Sequence, residues 1–569
     1  MPDAAAQRRI LRRHFFGAFM DNDLISPGSD LHGVLAKFAA LLVLPGVMYP
    51  VQLLFKYTYP YKSFAQMEVV SWSDKSVFVT LSLIVMGLVT ALEWDALQLD
   101  RRDGMVFGAL PIGSRTIAEA KLLSLGALLL IVSGGLAAVG GLSFPLIMHA
   151  RWPGSLGAVA GTVAGHAAAT IGAAAFSFFA LLSANGLGQL LLGPAAFRRA
   201  SAVLQMLVTF ALAVALLMLP MIAGSTATLK AASAGPGGWA PQMWFVGIYQ
   251  WVSGYRDPDW TRLAARGAIA LGIAAVFGLG TTLLAYRRLL TRAVDAVQAG
   301  RPGRTLAMRA FDVIGHLLAR DPVERGFFSF TIATLFRSAW HRVTLAAFFG
   351  GALALSIAGI NVATFERDGV HKVPAGEPHL LFVEFLIVAI TLAGVRAAAA
   401  SPAELKSAWV LQLLQGSDGL RWRAGFRKAV WASLIVPLVA LLTVCVGAVR
   451  GWDMARTHAV AQVVFAAVML EVLLFGFARV PFACAFDGAT GSIKVRWMAL
   501  VAFLTTTLFS VAQLVVATGH STRGSVSWLL CAAALTAGLR IAGNRGIRRA
   551  GGLRFDADDD SAQTLGLSG

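Results

Sequence analysis

Charge is scarce in this chain of 569 residues: 14% are Asp, Glu, Lys or Arg, against 57% hydrophobic. A soluble domain cannot cover that much apolar side chain, so lipid is expected to be the solvent for most of it. No Gly-Lys dipeptide occurs anywhere, hence no GxxxxGK[ST] loop, which excludes ATP binding through a Walker motif. HExxH, GxSxG and any clustered His/Asp set are missing too, and the ten histidines are scattered. An enzyme working inside the membrane therefore finds no support, and no cofactor is expected on this chain. Only three cysteines are present, Cys445, Cys484 and Cys531, all within or beside apolar runs and without CxxC spacing. They suggest neither a disulfide framework nor a metal site. Acidic residues are outnumbered 30 to 48, for a formal charge of +18. The basic residues sit between apolar runs rather than in one patch, as topology determinants do, and nucleic acid is not an expected partner.

What the chain has in abundance is long apolar runs. Twelve are placed at about 33–55, 76–94, 122–148, 157–183, 202–223, 265–286, 343–360, 380–399, 429–448, 458–478, 497–517 and 525–542. Each is close to the ~20 residues that cross ~30 Å of hydrocarbon. With the N-terminus inside, roughly 35 of the 48 Lys and Arg fall on the cytoplasmic side, so both termini are expected there. Arg8, Arg9, Arg12 and Arg13 resemble the start of a signal peptide. The polar stretch DNDLISPGSD then intervenes before the first long apolar run, so a cleaved signal is not expected. The fourth run carries Gly157, Gly161 and Gly165 four apart, the spacing of a packing face that lets two helix backbones approach.

The expected fold class is all-α: a polytopic integral membrane protein of about twelve transmembrane helices, built as two six-span units with interfacial connecting helices. The first unit is 1–300, with a connecting helix at 8–21, a charged segment at 95–121 and a cytosolic linker at 287–300. The second is 301–569, with a connecting helix at 322–342, a charged segment at 401–428 and an acidic tail at 555–569. The repeat is one of pattern, since residue identity between halves is poor. Helix starts are signalled by Asp321-Pro322-Val323-Glu324, by Ser401-Pro402-Ala403-Glu404 and by Thr116 with Glu119. The 322–342 stretch sets Phe327, Phe328, Thr331, Leu335 and Ser338 near one face, with Arg325 and Arg337 bracketing it, as in a helix lying in the interface. Between the fifth and sixth runs, 240–254 is aromatic, with Trp244, Phe245, Tyr249 and Trp251 between Pro241 and Gly254. It is too short to cross and is expected to dip into the outer interface, a re-entrant segment that the second half lacks.

Four segments carry a resemblance: DRRD…LPIGSR…AK (Asp100–Lys121), PxxWFxGxYxxxxG (Pro241–Gly254), FSFTIATLFRSAWHR (Phe328–Arg342) and PAELKSAW…RWRAGFRK (Pro402–Lys428). In order and placement they resemble the large bacterial ABC-2 type permeases, the membrane subunits of ATP-binding-cassette exporters. The resemblance implies a transport subunit in the bacterial inner membrane, moving substrate between two six-span halves. It also implies a separate ATP-binding-cassette ATPase subunit as partner, with membrane lipid and the transported substrate as the other contacts. The ATPase-coupling residues it implies are Asp100, Arg101, Arg102, Asp103, Pro111, Arg115, Glu404, Arg421 and Arg427. The mixture of acids and bases in 95–121 fits a docking surface better than a purely basic lipid anchor.

The alternative is a 12-span secondary transporter of the major-facilitator type. Its loop after the second span has an Asp-Arg followed by a Gly-Arg pair; here Asp100-Arg101 is present, but Met105 and Val106 follow Gly104. Two residues are candidates for a pathway. Glu471, placed near mid-span, either lines a pathway or exchanges protons, or else is protonated and bonded across helices. His166, on a Gly/Ala run, either does the same or hydrogen-bonds a neighbouring helix. Glu384 and Glu93 are placed closer to the two surfaces and within reach of water.

Overall fold

The computed structural model describes residues 4–20, 53–54, 56–57, 64–94, 97, 112–151, 155–296, 306–363, 376–403, 419–484, 507–518, 521–550 and 552–553. Among them there are helices, turns and no β-strand. Apolar side chains continue around most faces, and a helix satisfies every backbone polar group within its own segment, which is what lipid demands. Ten segments are long and apolar enough to cross a membrane, so this is an all-helical protein of multi-pass character. They coincide with ten of the twelve expected runs. Of the other two, 33–55 falls almost wholly outside the described residues, and 497–517 is described only from 507, as a short apolar helix, Thr507–Thr518.

The chain divides into two compact units, Met1–Arg301 and Pro302–Gly569. Unit 1 contains α1 (Ala4–Met20), α2 (Phe64–Leu92), α3 (Ser114–Arg151), α4 (Leu156–Leu217), α5 (Pro241–Val252) and α6 (Pro258–Ala296). Helical residues run without a break through α4, yet it folds back on itself. Asn185 Nδ2 donates to the Trp94 carbonyl at 3.4 Å, while Trp94 Nε1 donates to Ser201 Oγ at 2.6 Å. In a straight helix those two partners would stand about 24 Å apart. A Cβ on Gly87 would likewise touch both Ser177 and Leu212. Two antiparallel arms therefore embrace α2, in keeping with two separate spans, Leu156–Leu192 and Ala200–Leu217.

Unit 2 contains α7 (Leu306–Leu318), α8 (Pro322–Arg337), α9 (Ala339–Ala363), α10 (Glu377–Ala399), α11 (Gly419–Arg450), α12 (Trp452–Leu474), α13 (Thr507–Thr518) and α14 (Thr522–Arg549). Asp321 caps α8 as its sequence signals, accepting from Val323 N at 2.8 Å and Glu324 N at 3.3 Å. Within α11 a π-helical turn occupies Trp431–Ile435, just before Pro437. Proline has no N–H for the Ser433 carbonyl, and the wider turn accommodates the loss.

Several boundaries differ from expectation. The connecting helix of unit 2 stops at Arg337, because Ser338 adopts an extended ψ of 127°, and His341 and Arg342 belong to α9. Part of the linker is helical, since α6 continues to Ala296; beyond it, α7 packs Phe311 and Ile314 on Phe328 and Ile332 of α8. Thr116 does not cap α3. Gly113 accepts from both Thr116 N and Ile117 N, so the helix starts at Ser114.

Candidate functional site

In each unit an amphipathic helix is packed against the start of the helix that follows the charged segment. In unit 1, α1 buries Leu11 and Phe15 against Ile117, Ala120 and Leu125 of α3 and against Met86, Val89 and Trp94 near the end of α2. Lys121 Nζ lies 5.5 Å from the Phe15 ring centroid, and Ser124 Oγ donates to the Arg12 carbonyl at 3.1 Å. Arg8 and Arg115 both pair with Glu119, at 3.3 and 2.8 Å, in a solvent-open position.

In unit 2 the corresponding join is between α8 and α11. Phe327 stacks on Trp422 with ring centroids 5.3 Å apart. Lys428 pairs with Glu324, and Arg421 with Asp321 at 3.3 Å. Gly425 lets the two backbones touch, since a Cβ there would collide with the Glu324 carbonyl. Glycine in the middle of a helix is conformationally costly, and here close approach is the reason for it.

At the end of unit 1 away from α1, α5 inserts among α2, α4 and α6. Met243, Phe245, Val246, Tyr249 and Gln250 are buried. Gly161 and Gly165 of α4 receive its C-terminal end, where a Cβ on Gly165 would come within 2.7 Å of the Tyr249 carbonyl oxygen. Gly157, expected in the same packing row, is exposed instead, because α5 has ended before reaching it. Of the four aromatics expected here, Phe245 and Tyr249 face the core. Trp244 is half-buried and donates to the Gly238 carbonyl at 2.8 Å, while Trp251 is exposed with the Arg256 guanidinium 4.9 Å from its ring.

Around α5 lies a polar network. Lys75, 1% exposed, donates to Gln250 Oε1 at 2.6 Å and lies 5.1 and 5.5 Å from the ring centroids of Tyr249 and Tyr255. Gln250 in turn donates to Glu68 at 3.1 Å. Asp74 accepts from Lys56 at 2.7 Å and from Tyr57 at 2.6 Å. Lys230 pairs with Asp257 at 3.0 Å and sits between the rings of Trp72 and Trp260. Burial pushes the Tyr249 phenol up, and burial together with the Glu68 charge pushes Tyr255 up to about 12. Both rings thus stay neutral and offer their faces to the lysine. His166 is fully buried, edge-on to Phe78 and Tyr249, and neither ring nitrogen has a partner among the described residues.

Glu471 is in the last turn of α12, not near mid-span, because the helix ends at Leu474. It is 5% exposed and accepts from Arg427 Nη2 at 2.7 Å. Arg427, 6% exposed, therefore faces into unit 2 and not onto an outer docking surface. Beside this pair, Arg396 Nη1 donates to the Leu473 carbonyl at 2.7 Å and Arg423 Nη2 to the Leu474 carbonyl at 2.8 Å. Glu384, expected within reach of water, is buried and accepts from Gln462 at 2.6 Å, with His458 Nδ1 at 2.9 Å. Glu93 is buried as well.

Arg115 is exposed at the start of α3, and Arg421 is half-exposed at the start of α11. Asp100, Arg101, Arg102, Asp103, Pro111 and Glu404 lie outside the described residues, as does the acidic tail. Sequence reasoning missed Lys75, Gln250, Arg396 and Arg423. An Asp-Lys pair opening a long apolar run was the available signal for the first. No group of three or more His, Cys, Asp or Glu that could hold a metal occurs among the described residues.

The architecture and these buried charge networks define the class, an all-helical protein of multi-pass membrane character. No protein-family model, curated protein or solved structure matches the chain.

Proposed function

We propose that this chain is the membrane-spanning permease subunit of an ATP-binding-cassette exporter, with two six-span halves in a bacterial inner membrane and both termini cytoplasmic. A separate ATPase subunit docks on cytosolic segments at 95–121 and 401–428. The observation that carries the proposal is the pair of joins, α1 on α3 and α8 on α11. Each charged segment runs into a helix that is tied to an amphipathic helix by aromatic and ionic contacts. A push on either segment is then passed to a long helix as a rigid-body movement rather than absorbed by a loose loop. Asp100, Arg101, Arg102, Asp103, Pro111, Arg115, Glu404 and Arg421 supply the docking contacts, and α5 with Phe245 and Tyr249 closes the outer end of the first half. Arg427 acts from within, bracing α11 on α12.

The secondary-carrier alternative needs Glu471 as a proton carrier, and its ion pair with Arg427 at 2.7 Å weighs against that. The test is mild-detergent purification from native membranes, with ATP hydrolysis and co-purifying chains assayed together. The expected result is a stoichiometric partner bearing a P-loop, lost when Asp100 and Asp103 are charge-reversed. A chain that purifies alone and without ATPase activity overturns the proposal.

A further inference from the structure

Unit 2 gathers four guanidinium groups around one carboxylate. Arg396 comes from α10, Arg423 and Arg427 from α11 and Arg540 from α14; Glu471 on α12 is the carboxylate that acts on Arg423 and Arg427 among the described residues. Arg427 takes the carboxylate, while Arg396 and Arg423 take the last carbonyls of α12. A helix C-terminus offers only about half a negative charge, so the cluster retains an excess of about two and a half positive charges. Arg423 and Arg427 are 4% and 6% exposed, and the Nε of each has no partner among the described residues. Buried cations with unused donors are costly, and a bound counter-anion removes that cost.

We propose that this cluster is a binding site for a phosphate-bearing anion, held by Arg396, Arg423 and Arg540. The planar, multiply donating guanidinium suits phosphate oxygens better than any other cationic side chain does. Access is from the α14 side. Arg423 lies against Gly543, where a Cβ would come within 3.1 Å of its Nη2, and Arg540, three residues earlier on α14, is exposed. Larger residues at 543 would push the guanidinium away, so the glycine keeps the cluster together.

A phospholipid headgroup and a soluble phosphate share this chemistry. Beside Arg396 a small pocket is walled by Leu392, Val395, Ala399, Phe426 and Leu470, and Phe477 lies under the guanidinium at 4.6 Å. The pocket has room for no more than a water-sized group, so the arginines carry the recognition and its apolar wall only favours a headgroup that arrives with hydrocarbon beside it. Basic pockets between spanning helices commonly take anionic headgroups in this way.

The test uses the full chain, purified in detergent and stripped of lipid. Native mass spectrometry follows retention of phosphatidylglycerol against phosphatidylcholine, and thermal unfolding is measured with and without inorganic phosphate. Retention of phosphatidylglycerol about tenfold tighter than phosphatidylcholine is expected, falling about tenfold in the double variant Arg396→Gln/Arg423→Gln. Because that variant also removes two helix-end contacts, the exposed Arg540→Gln serves beside it. It is expected to weaken retention about threefold with the unfolding midpoint unchanged. Lipid retention without a phosphate response assigns the site to a headgroup. Stabilisation by phosphate alone, lost in the variants, assigns it to a soluble anion. Equal retention of the two lipids with no phosphate response, or retention indifferent to all three arginines, overturns the proposal. None of these readouts involves ATP or transport, so the outcome is independent of the exporter reading.

Discussion

The two units solve the problem of buried charge in opposite ways. Around α5 in unit 1, three lysines face three carboxylates: Lys56 and Asp74, Lys230 and Asp257, and Lys75 linked to Glu68 through Gln250. Cations and anions match, aromatic rings lie against all three lysines, and the network closes on itself. At the end of α12 in unit 2, Arg427 takes Glu471, Arg396 and Arg423 take two helix-end carbonyls, Arg540 adds a fourth positive charge beside them, and the network stays open. A closed network is held by many modest contacts. An open one depends on a single strong pair and on whatever supplies the missing negative charge.

Mutations should separate the two cases. The largest effect is expected from Glu471→Ala, which strands Arg427 without a partner and should cost about 3–5 kcal/mol of stability. Chemical or thermal unfolding of the purified chain would measure it, and Glu471→Leu combined with Arg427→Met should recover most of the loss. A Glu471→Ala chain as stable as the parent would show that the pair is not holding α11 to α12. Lys75→Met in the closed network should cost less, about 1–3 kcal/mol. It leaves the Gln250 carbonyl without a donor, while the Glu68 contact survives on the amide side. If Lys75→Met proved as damaging as Glu471→Ala, the contrast between the units would collapse. The smallest effect belongs to Glu119→Gln at the α1 join, where both ion pairs are open to water. Under about 1 kcal/mol is expected, declining further at high salt.

The broad features were legible because they depend on composition and local chemistry. Ten apolar runs, the Asp321 cap and the presence of a short aromatic segment at 241–252 all follow from patterns confined to a few neighbouring residues, though its burial among the helices does not. What escaped depends on which helices meet. Glu471 stood out as a charged residue in an apolar run, but nothing near it in sequence points to Arg427, 44 positions away. Glu384 was placed by hydropathy near water, whereas Gln462 and His458, more than 70 positions on, hold it inside. The glycine row misled at one position for the same reason: spacing shows that a helix can be approached closely, and only the partner's length shows where. Lys75 had only the Asp74-Lys75 pair as a local marker, which does not point to its acceptor 175 residues distant.

The π turn in α11 has a consequence for how that helix is keyed. Carrying one more residue than an α turn, it rotates everything after it by about 100° relative to everything before. The arginine-bearing first part and the second part, with Val436, Leu441 and Val444 turned outward, are thus set at different phases about one axis. Removing a single residue from Trp431–Ile435 would bring the two into phase. It would swing that outward row toward the interior while Arg423 and Arg427 stayed in place, a change in helix timing that no side-chain substitution could reproduce.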